Sequence, residues 1–320
     1  MSRLSLVTGA TGQIGLPLAR ALLAGGQRVR ALVRDEGRGA TAAQAGAELA
    51  RGDIDDPASL AAAMRGVDEV WHLAGGLRGA GAFDADRLNR VGTENVVSAA
   101  RAAGSVQNFV FASSCAVYGD RRGLWGAEDY PPAPHTNGGT AKGAAEAAVL
   151  AAAAGGLPAK VARIAAVYGP ALRFTMADEI KRGRGWLPGE GRNLVPVIHV
   201  DDCVSALIAV GAGGQDGAVY NVSGPSTPTL KEFYAAVHAR VGGSPVRFWS
   251  TWIPSALQFA AARRNEGLAA RLGRKPRFTP DNLRLMTASV RLKVERMEKE
   301  LGFTWAHPDY RDGLAASFPA

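Results

Sequence analysis

The sequence predicts an α/β protein built on a doubly wound parallel sheet. Its 320 residues, 47% of them hydrophobic, suffice for a large core in one big domain or in two. In the first half, short and continuously apolar segments alternate with helical patterns. Continuous apolar strands separated by helices are typical of a parallel sheet covered on both faces, and right-handed crossovers between them produce the doubly wound arrangement.

The elements of the first half follow from periodicity and from helix start signals. In "DPASLAAAMRG", Asp56 is suited to cap a helix and Pro57 to occupy its first position, so a helix is predicted there. Apolar runs predict strands in RLSLVTGA (3–10), RVRALVR (28–34), DEVWHLAG (68–75) and VQNFVFASS (106–114). Helical patterns lie in QIGLPLARALLAGG (13–26) and ADRLNRVGTENVVSAARAAG (85–104).

After Leu172 the pattern becomes less regular and predicts a smaller, mostly helical C-terminal lobe. Helices are predicted over 174–183 and 229–243, strands over 196–200 and 218–224, and a largely helical chain from Trp249 onward. We therefore divide the chain into a first domain, 1–170, and a second lobe, 171–320. Residues 195–224 are expected to return to the sheet of the first domain.

Composition argues against several classes of protein. No apolar run approaches the ~18 residues of a membrane span, and "MSRLSLVTGA" runs directly into a strand, unlike a signal peptide. Cys115 and Cys203 form neither a disulfide framework nor a metal-ligand spacing. We therefore expect no bound metal, no membrane span, and a reducing, cytoplasmic setting.

The net charge of +8 favours anionic partners without identifying one. The densest basic stretch, 262–278, contains Arg263, Arg264, Arg271, Arg274, Lys275 and Arg277. A solvated helix face is the simplest interpretation, and a dock for an anionic substrate group, a nucleic acid or a membrane surface are the alternatives. No nucleic-acid-binding motif accompanies the charge, so we expect no nucleic-acid partner.

A glycine-rich turn follows the first strand directly. In "TGATGQIG" (8–15), Gly9, Gly12 and Gly15 are spaced G-x-x-G-x-x-G and open a helix. Such a turn lets backbone N–H groups approach a pyrophosphate while the helix N-terminus supplies positive partial charge. The sequence thus predicts a Rossmann-type dinucleotide site in 1–170, with Gly9, Thr11, Gly12, Gln13, Ile14 and Gly15 at the cofactor.

At this point the chain resembles the extended short-chain dehydrogenase/reductases, a family that includes sugar-nucleotide epimerases, dihydroflavonol reductases and 3β-hydroxysteroid dehydrogenases. The resemblance covers nearly the whole chain in the family's order, from "TGATGQIG" through "VFASSCAVYG", "RIAAVYGP" and "VIHVDDCVSAL" to "TASVRLKVERMEKELGF". It implies that Asp53 and Ile54 contact the adenine, that Leu73 and Ala74 in "VWHLAG" lie beside the cofactor, and that "VGTENVVSAA" is the helix bearing Asn95. Residues 171–320 then become the substrate lobe.

The end of the second predicted strand bears on the choice of nucleotide. NAD enzymes usually place an acid there to bind the ribose 2′-OH, whereas this chain has Val33 followed by Arg34. An arginine pairs bidentately with a 2′-phosphate, so NADP is favoured over NAD, with Arg38 as a second contact. Asp35 complicates this prediction, because its carboxylate would repel the phosphate.

The resemblance also implies a catalytic set with one member replaced. In the family a tyrosine protonates the substrate oxygen, a lysine four residues later lowers the pKa of that tyrosine, and a serine hydrogen-bonds the oxygen. Residues at i and i+4 share a helix face, so the tyrosine and lysine meet. Ser114 matches the serine and Lys142 matches the lysine, which also holds the nicotinamide ribose, but Gly138 stands at the tyrosine position.

Four interpretations of Gly138 remain open. The glycine makes room for a water or a substrate group that relays the proton, or another side chain substitutes, with His135 nearest in sequence and Tyr130 and Cys115 behind it. Alternatively, the protein binds the nucleotide without net redox chemistry, or the tyrosine has been removed by design.

The sequence therefore predicts an NAD(P)-dependent oxidoreductase that acts on the carbonyl or hydroxyl of a small molecule, as a ketoreductase, dehydrogenase or epimerase. A hydrophobic polycyclic or acyl substrate suits the second lobe as well as a sugar nucleotide does. The alternative is a non-redox cyclase, lyase or NADP(H) sensor on the same scaffold. A homodimer is expected from the resemblance, because family members often pair through two helices of the nucleotide domain.

Overall fold

The computed structural model describes residues 2–76, 82–170, 172–248, 255–272 and 278–319. Its strands are β1 Leu4–Thr8, β2 Arg28–Val33, β3 Glu48–Arg51, β4 Glu69–His72, β5 Asn108–Ser114, β6 Trp125–Gly126, β7 Ala159–Ile164, β8 Ala166–Tyr168, β9 Trp186–Leu187, β10 Val197–His199, β11 Val219–Val222, β12 Arg247–Phe248 and β13 Arg291–Leu292. Its α-helices are α1 Gly15–Ala24, α2 Glu36–Gln44, α3 Pro57–Ala63, α4 Ala82–Asp86, α5 Gly92–Ala103, α6 Asn137–Ala154, α7 Ala177–Lys181, α8 Val200–Gly213, α9 Leu230–Val241, α10 Ser255–Arg271, α11 Pro280–Thr287, α12 Glu295–Leu301 and α13 Tyr310–Ser317.

Seven strands form one parallel sheet in the order β11-β7-β5-β4-β1-β2-β3. The order reverses at β1, where the chain turns from one half of the sheet to the other, as in a doubly wound Rossmann-type fold. The predicted fold class is confirmed. Three short parallel pairs, β10–β8, β12–β9 and β13–β6, lie outside this sheet.

Apolar side chains cover both faces of the sheet. On one face Leu18 of α1 and Leu207 of α8 belong to a core cluster with Val7 and Val110. On the other face Leu60 of α3 and Val149 of α6 belong to a second cluster. The continuous apolar strands of the sequence are therefore explained, because both sides of the central strands are buried.

The predicted helix at 85–104 is interrupted. A π-helical turn, Arg87–Val91, separates α4 from α5, and the side chain of Asn89 in this turn is fully buried. Single π-helical turns inside α-helices are frequent at functional sites. Periodicity predicts the helical stretch but carries no signal for the extra residue in the turn.

The second half joins the sheet only in part. Of residues 195–224, β11 becomes an edge strand of the main sheet, whereas β10 pairs with β8 instead. A third apolar cluster, which includes Phe233 and Tyr310, lies among α9, α13 and the chain after β7. Trp249 lies outside the described residues, and the predicted helical content after it is met by α10 to α13. The domain boundary at 170 stays a prediction.

Candidate functional site

The parallel sheet brings the ends of its strands to one edge. Thr8, Val33, His72 and Ser114 are the last residues of β1, β2, β4 and β5, and these strands are neighbours or near neighbours. In open α/β sheets ligands bind outside the carboxyl ends of the strands, at the point where the strand order reverses. The residues that the sequence predicts for the cofactor and for catalysis therefore share one edge.

The turn after β1 requires glycine because backbone segments approach one another closely. Gly9 has φ +72°, and a Cβ atom placed on it would lie 2.8 Å from the backbone nitrogen of Ala74. A Cβ atom at Gly15 would overlap the carbonyl oxygen of Gly9. The backbone N–H of Gly12 donates to that same carbonyl at 2.8 Å. The turn is thus folded tightly against the end of β4, where the predicted contacts Leu73 and Ala74 lie.

Helix α1 begins without a side-chain cap. Its N-cap residue is Ile14, whose side chain accepts no hydrogen bond, and the first turn contains no acidic residue. The three glycines have no side chain that would cover the approach to the helix start. The helix dipole attracts an anion there, so this turn fits a dinucleotide pyrophosphate.

Asp53 and Ile54 lie just beyond β3, at the side where the adenine is expected. The side-chain amide of Asn95 in α5 donates to the carbonyl of Ile54 at 2.9 Å. The carboxylate of Asp53 accepts the backbone N–H of Asp55 at 3.2 Å, and its own N–H donates to Ser59. These bonds hold the loop in one conformation, with Asp53 half-buried and Ile54 buried.

Asp35 has a structural role at the start of α2. Asp35 is the N-cap of α2, and its carboxylate accepts the backbone N–H of Arg38 at 3.0 Å. Arg34 and Arg38 are exposed, and no described residue forms an ion pair with either guanidinium. The carboxylate thus caps α2, and beside the end of β2 both guanidinium groups are without an ion pair within the described residues.

Behind the turn, His72 joins β1, β4 and α5. Its Nδ1 atom lies 2.6 Å from Thr8 Oγ1 and its Nε2 atom 2.9 Å from Thr93 Oγ1. Thr8 Oγ1 also accepts the N–H of Ala74 at 3.2 Å, so this hydroxyl joins the ring to the loop after β4. Burial first, and then the charge of Lys142, lower the pKa of His72 to about 3. The ring is therefore neutral and fixes the strand ends.

Two side chains cap the start of helix α6. The side chain of Thr136 accepts the N–H of Gly139 at 3.0 Å, and Asp281 of α11 accepts the N–H of Asn137 at 2.7 Å. Gly138 lies in this first turn and is buried. Lys142, one turn later, is buried on the same side of the helix, as the i, i+4 spacing predicts.

The ammonium group of Lys142 is buried and forms no ion pair with any residue that the structure describes. Its Nζ atom donates to the carbonyl of Ala112 at 2.8 Å and lies 4.6 Å from the centre of the Phe111 ring. Both of these residues belong to β5, two and three residues before Ser114. Burial lowers the pKa of Lys142 to about 8, and no carboxylate of the described residues offsets that effect. This lysine is therefore poised to give up a proton near neutral pH.

Asn89 also lies at this point, and sequence reasoning did not identify it. A Cβ atom at Gly75 would lie 2.6 Å from Asn89 Oδ1 and 2.9 Å from Lys142 Nζ, so both polar atoms converge on the end of β4. Asn89 accepts the N–H of Gly76 at 3.1 Å and donates to the carbonyls of Gly76 and Ala85. The π-helical turn thus directs an amide against the loop next to the lysine. A polar residue in an otherwise apolar helix face was the available signal.

Ser114 ends β5 and its neighbour Ser113 points the other way. Ser114 Oγ accepts the N–H of Ala116 at 3.2 Å and keeps its own O–H to donate. Ser113 Oγ donates to Glu146, which is paired with Arg163 on β7. The successive serines thus differ in role, because side chains alternate across a strand.

Other proton donors proposed from sequence are engaged elsewhere. His135 Nε2 lies 3.3 Å from the carbonyl of Arg284, and its Nδ1 atom is buried without a hydrogen-bond partner among the described residues. Burial raises the pKa of Cys115 to about 11. The ring of Tyr130 lies under the guanidinium of Arg121 at 5.0 Å. The thiol of Cys115 is hydrogen-bonded to Ser114, but its raised pKa makes it a poor donor at neutral pH, and His135 and Tyr130 have their contacts with Arg284 and Arg121 instead.

The described helices include none with the length and apolar content that crossing a bilayer requires.

Comparison with known proteins addresses the class of enzyme. The model of the NAD dependent epimerase/dehydratase family matches residues 5–223. The 4-hydroxy-2-methyl-3-oxo-4-farnesyl-3,4-dihydroquinoline-1-oxide ketoreductase of Stigmatella aurantiaca is 30% identical, over 99% of this chain and 97% of the relative. Sterol demethylase protein B of Methylococcus capsulatus is 30% identical, over 93% of this chain and 92% of the relative.

A solved structure shows the same architecture. The DesIV double mutant, a dTDP-glucose 4,6-dehydratase from Streptomyces venezuelae with NAD and DAU bound, superposes with a TM-score of 0.78 at 26% identity. The match covers 98% of this chain and 95% of that chain. The fold and the class of enzyme are shared, whereas the roles of individual residues at the site stay predictions.

Proposed function

The chain belongs to the NAD-dependent epimerase/dehydratase family, and on that premise we propose that it reduces the carbonyl of an apolar small molecule with NADPH. Oxidoreductases of this family use a nicotinamide dinucleotide, which supplies a hydride to the carbonyl carbon when it is bound. The glycine turn and the uncapped start of α1 are suited to its pyrophosphate. What remains for the protein is to orient the carbonyl and to deliver one proton to its oxygen.

The choice of NADPH rests on the end of β2. Arg34 and Arg38 are exposed and free of ion pairs within the described residues, while Asp35 is held as the cap of α2. Two guanidinium groups suit a 2′-phosphate, and a capping carboxylate is not directed at the ribose. NAD in the solved relative does not decide the matter, because a preference for the 2′-phosphate is set by these few residues.

The observation that carries the proposal is the buried ammonium of Lys142 beside the strand that ends at Ser114. Gly138 supplies no phenol between this lysine and the substrate oxygen. We propose that Ser114 Oγ–H hydrogen-bonds the carbonyl oxygen and that Lys142 supplies the proton through one water at the level of Gly138. A pKa of about 8 leaves the group protonated at neutral pH and ready to transfer.

Two of the relatives that match this chain along nearly its whole length favour an apolar substrate. Their names refer to a farnesyl-substituted quinoline oxide and to a sterol, whereas a dTDP-glucose 4,6-dehydratase matches the chain at the same 30% identity. The sugar-nucleotide dehydratase matches equally well in fold, so it provides the competing substrate class.

Turnover of NADPH with apolar ketones and with nucleotide sugars tests the proposal. Wild-type protein is expected to oxidise NADPH with an apolar ketone, more slowly as pH rises through about 8, because Lys142 then loses its proton. Gly138→Tyr is expected to raise kcat by about 10–1,000-fold, since a general acid typically contributes about 10²–10⁴-fold. Lys142→Met should remove activity in both backgrounds.

Matched variants separate the parts of the site. Gly138→Phe fills the same volume without a hydroxyl, so it should lower rather than raise kcat. Arg34→Ala should raise the KM for NADPH about tenfold or more and leave that for NADH nearly unchanged, because only the former carries the 2′-phosphate. Tight nucleotide binding without any turnover, in wild type and in Gly138→Tyr, would refute a reductase and favour a non-redox protein.

A further inference from the structure

Helix α10 carries apolar side chains on a buried face and on a separate exposed face. Its inner face includes the buried Ala262 and Gln258, and the ring of Phe259 lies 5.4 Å from the guanidinium of Arg284 in α11. On the outer side Leu257, Leu268 and Leu272, which directly follows the helix, are 59%, 54% and 57% exposed. Three leucines more than half exposed along one helix require an explanation, whereas a single exposed leucine does not.

The exposed leucines lie in one line. Successive residues of an α-helix are about 100° apart, so Leu257, Ala261, Leu268 and Leu272 fall within an arc of about 60°. We call these four residues the leucine stripe. On the same count Arg264 and Arg271 lie along one edge of the stripe, and Glu266 lies about 180° from Leu257. The acidic residue is thus on the other side of the helix from the stripe.

The arrangement matches a helix that lies in a lipid surface. Such helices bury a leucine-bearing face at the boundary of headgroups and acyl chains, while adjacent arginines pair with anionic headgroups. The net charge of +8 adds long-range attraction of the same sign. A second copy of the chain fits less well, because antiparallel packing of two such stripes would bring Arg264 and Arg271 of both copies together, and the stripe has no acidic edge to pair with them.

From this geometry we infer that the leucine stripe of α10, with Arg264 and Arg271 at its edge, docks the protein on an anionic lipid bilayer. Docking through α10 would bring the bilayer close to the candidate functional site. Helix α10 packs on α11, whose Asp281 and Arg284 contact Asn137 and His135 at the start of α6. The site is therefore one helix away from the stripe. The inference rests on the proposed function in this respect, since an apolar substrate would partition into the same bilayer.

Flotation with lipid vesicles tests the docking without any turnover. Full-length protein is expected to float with vesicles of phosphatidylcholine and phosphatidylglycerol and much less with phosphatidylcholine alone. Binding should fall as NaCl rises from about 0.1 M to about 0.5 M, because the Debye length shortens. The paired change Arg264→Gln/Arg271→Gln should weaken binding about 25-fold, since each basic residue at such a surface contributes about fivefold.

The leucines require their own variants and controls. Leu268→Asn/Leu272→Asn should weaken vesicle binding about tenfold or more through lost apolar burial. Leu124→Asn, at a leucine 65% exposed elsewhere, and Arg65→Gln, at an exposed arginine, should leave binding unchanged. Circular dichroism of each variant confirms that the fold is retained.

Three results would overturn the docking. One is wild-type protein that does not float with anionic vesicles. Another is a leucine-stripe variant that turns a dimer into a monomer while vesicle binding stays the same, which would assign the stripe to a second copy. The third is salt-sensitive DNA binding that depends on the arginines but not on the leucines, without vesicle binding. Flotation needs no substrate. Its result therefore tests bilayer docking even if the reductase assay shows no activity.

Discussion

Two helices start at the functional edge of the sheet, and they start differently. The first turn of α1 follows glycines, has no side-chain cap and contains no acid. The first turn of α6 is capped by Thr136 from its own chain segment and by Asp281 from α11. Side chains thus accept N–H groups at the start of α6, whereas no side chain of the described residues caps α1, so the two helix starts suit different tasks.

The difference indicates whether a ligand or the protein itself lies at the start of each helix. Under the proposed function an anion completes the start of α1, so a protein side chain there would compete with the pyrophosphate. The start of α6 is completed by the protein, so its buried first turn is held still next to the substrate. One turn after the start of α6, the ammonium of Lys142 is buried without an ion pair among the described residues.

The largest effect, on nucleotide affinity, is expected from a side chain placed just before α1. A Cβ atom at Gly12 would lie 3.0 Å from the carbonyl oxygen of Gly9, so an added side chain has to fit tightly beside the turn. Gly12→Asp should raise the Kd for NADP⁺ about 100–1,000-fold through crowding and repulsion of the pyrophosphate. Gly12→Asn, of the same size, should raise it about tenfold, since it lacks the charge. Calorimetric titration measures both.

Unfolding without nucleotide gives the second half of that test. An acid just before the start of a helix interacts favourably with the helix dipole, so Gly12→Asp should leave the free energy of unfolding unchanged or raise it by up to about 1 kcal/mol relative to Gly12→Asn. If Asp and Asn weaken nucleotide binding equally, the start of α1 is not the site of the anion.

Local sequence signals predicted the two helix starts unequally. The strand-turn-helix at Gly9 is a local motif, and Ser114 and Lys142 were found because the motifs around them are contiguous. Asp281 caps a helix that starts 144 residues earlier, and nothing in the sequence near either residue reports that contact. Motifs thus predict the groups that meet a ligand better than those that hold them in place.

The same limit applies to the remaining elements. The strand β3 and helix α2 were not predicted, because β3 is short, ends in charged residues and is only half-buried at the sheet edge. Asn89 and His72 act through hydrogen bonds to backbone and to threonines on other elements. Neither residue type is decisive by itself, so only the fold shows that both lie next to Lys142.

The buried ammonium of Lys142 affects the stability of the native state. A shift of the pKa from 10.5 to about 8 corresponds to about 3 kcal/mol of lost stability. The native state binds fewer protons than the unfolded chain between pH 8 and pH 10.5, so stability is lowest below pH 8 and recovers as pH rises through that window. Lys142→Met removes the charge but also a hydrogen bond worth about 1 kcal/mol, so it should stabilise the free protein by about 1–3 kcal/mol at pH 7.

Urea unfolding across this pH range checks the sign. The advantage of Lys142→Met over wild type should shrink between pH 8 and pH 10.5. Lys160 is a matched control, because it is equally buried but paired with Asp216 at 2.9 Å and with Asn108 at 3.0 Å. Lys160→Met should therefore lower stability at pH 7. A destabilised Lys142→Met protein with a flat pH dependence would mean that the ammonium is compensated in the native state.

The smallest effect is expected from removing one cap at the start of α6. Asp281→Ala removes the acceptor for the N–H of Asn137 and should cost about 1 kcal/mol in unfolding free energy. Asp281→Asn keeps an oxygen acceptor, so it should recover most of that loss. Because the first turn of α6 also carries Gly138, kcat should fall a few-fold in Asp281→Ala while the Kd for NADP⁺ stays the same. An equal loss of nucleotide affinity would show that the two helix starts are coupled, and would end the contrast between a helix completed by its ligand and one completed by its own fold.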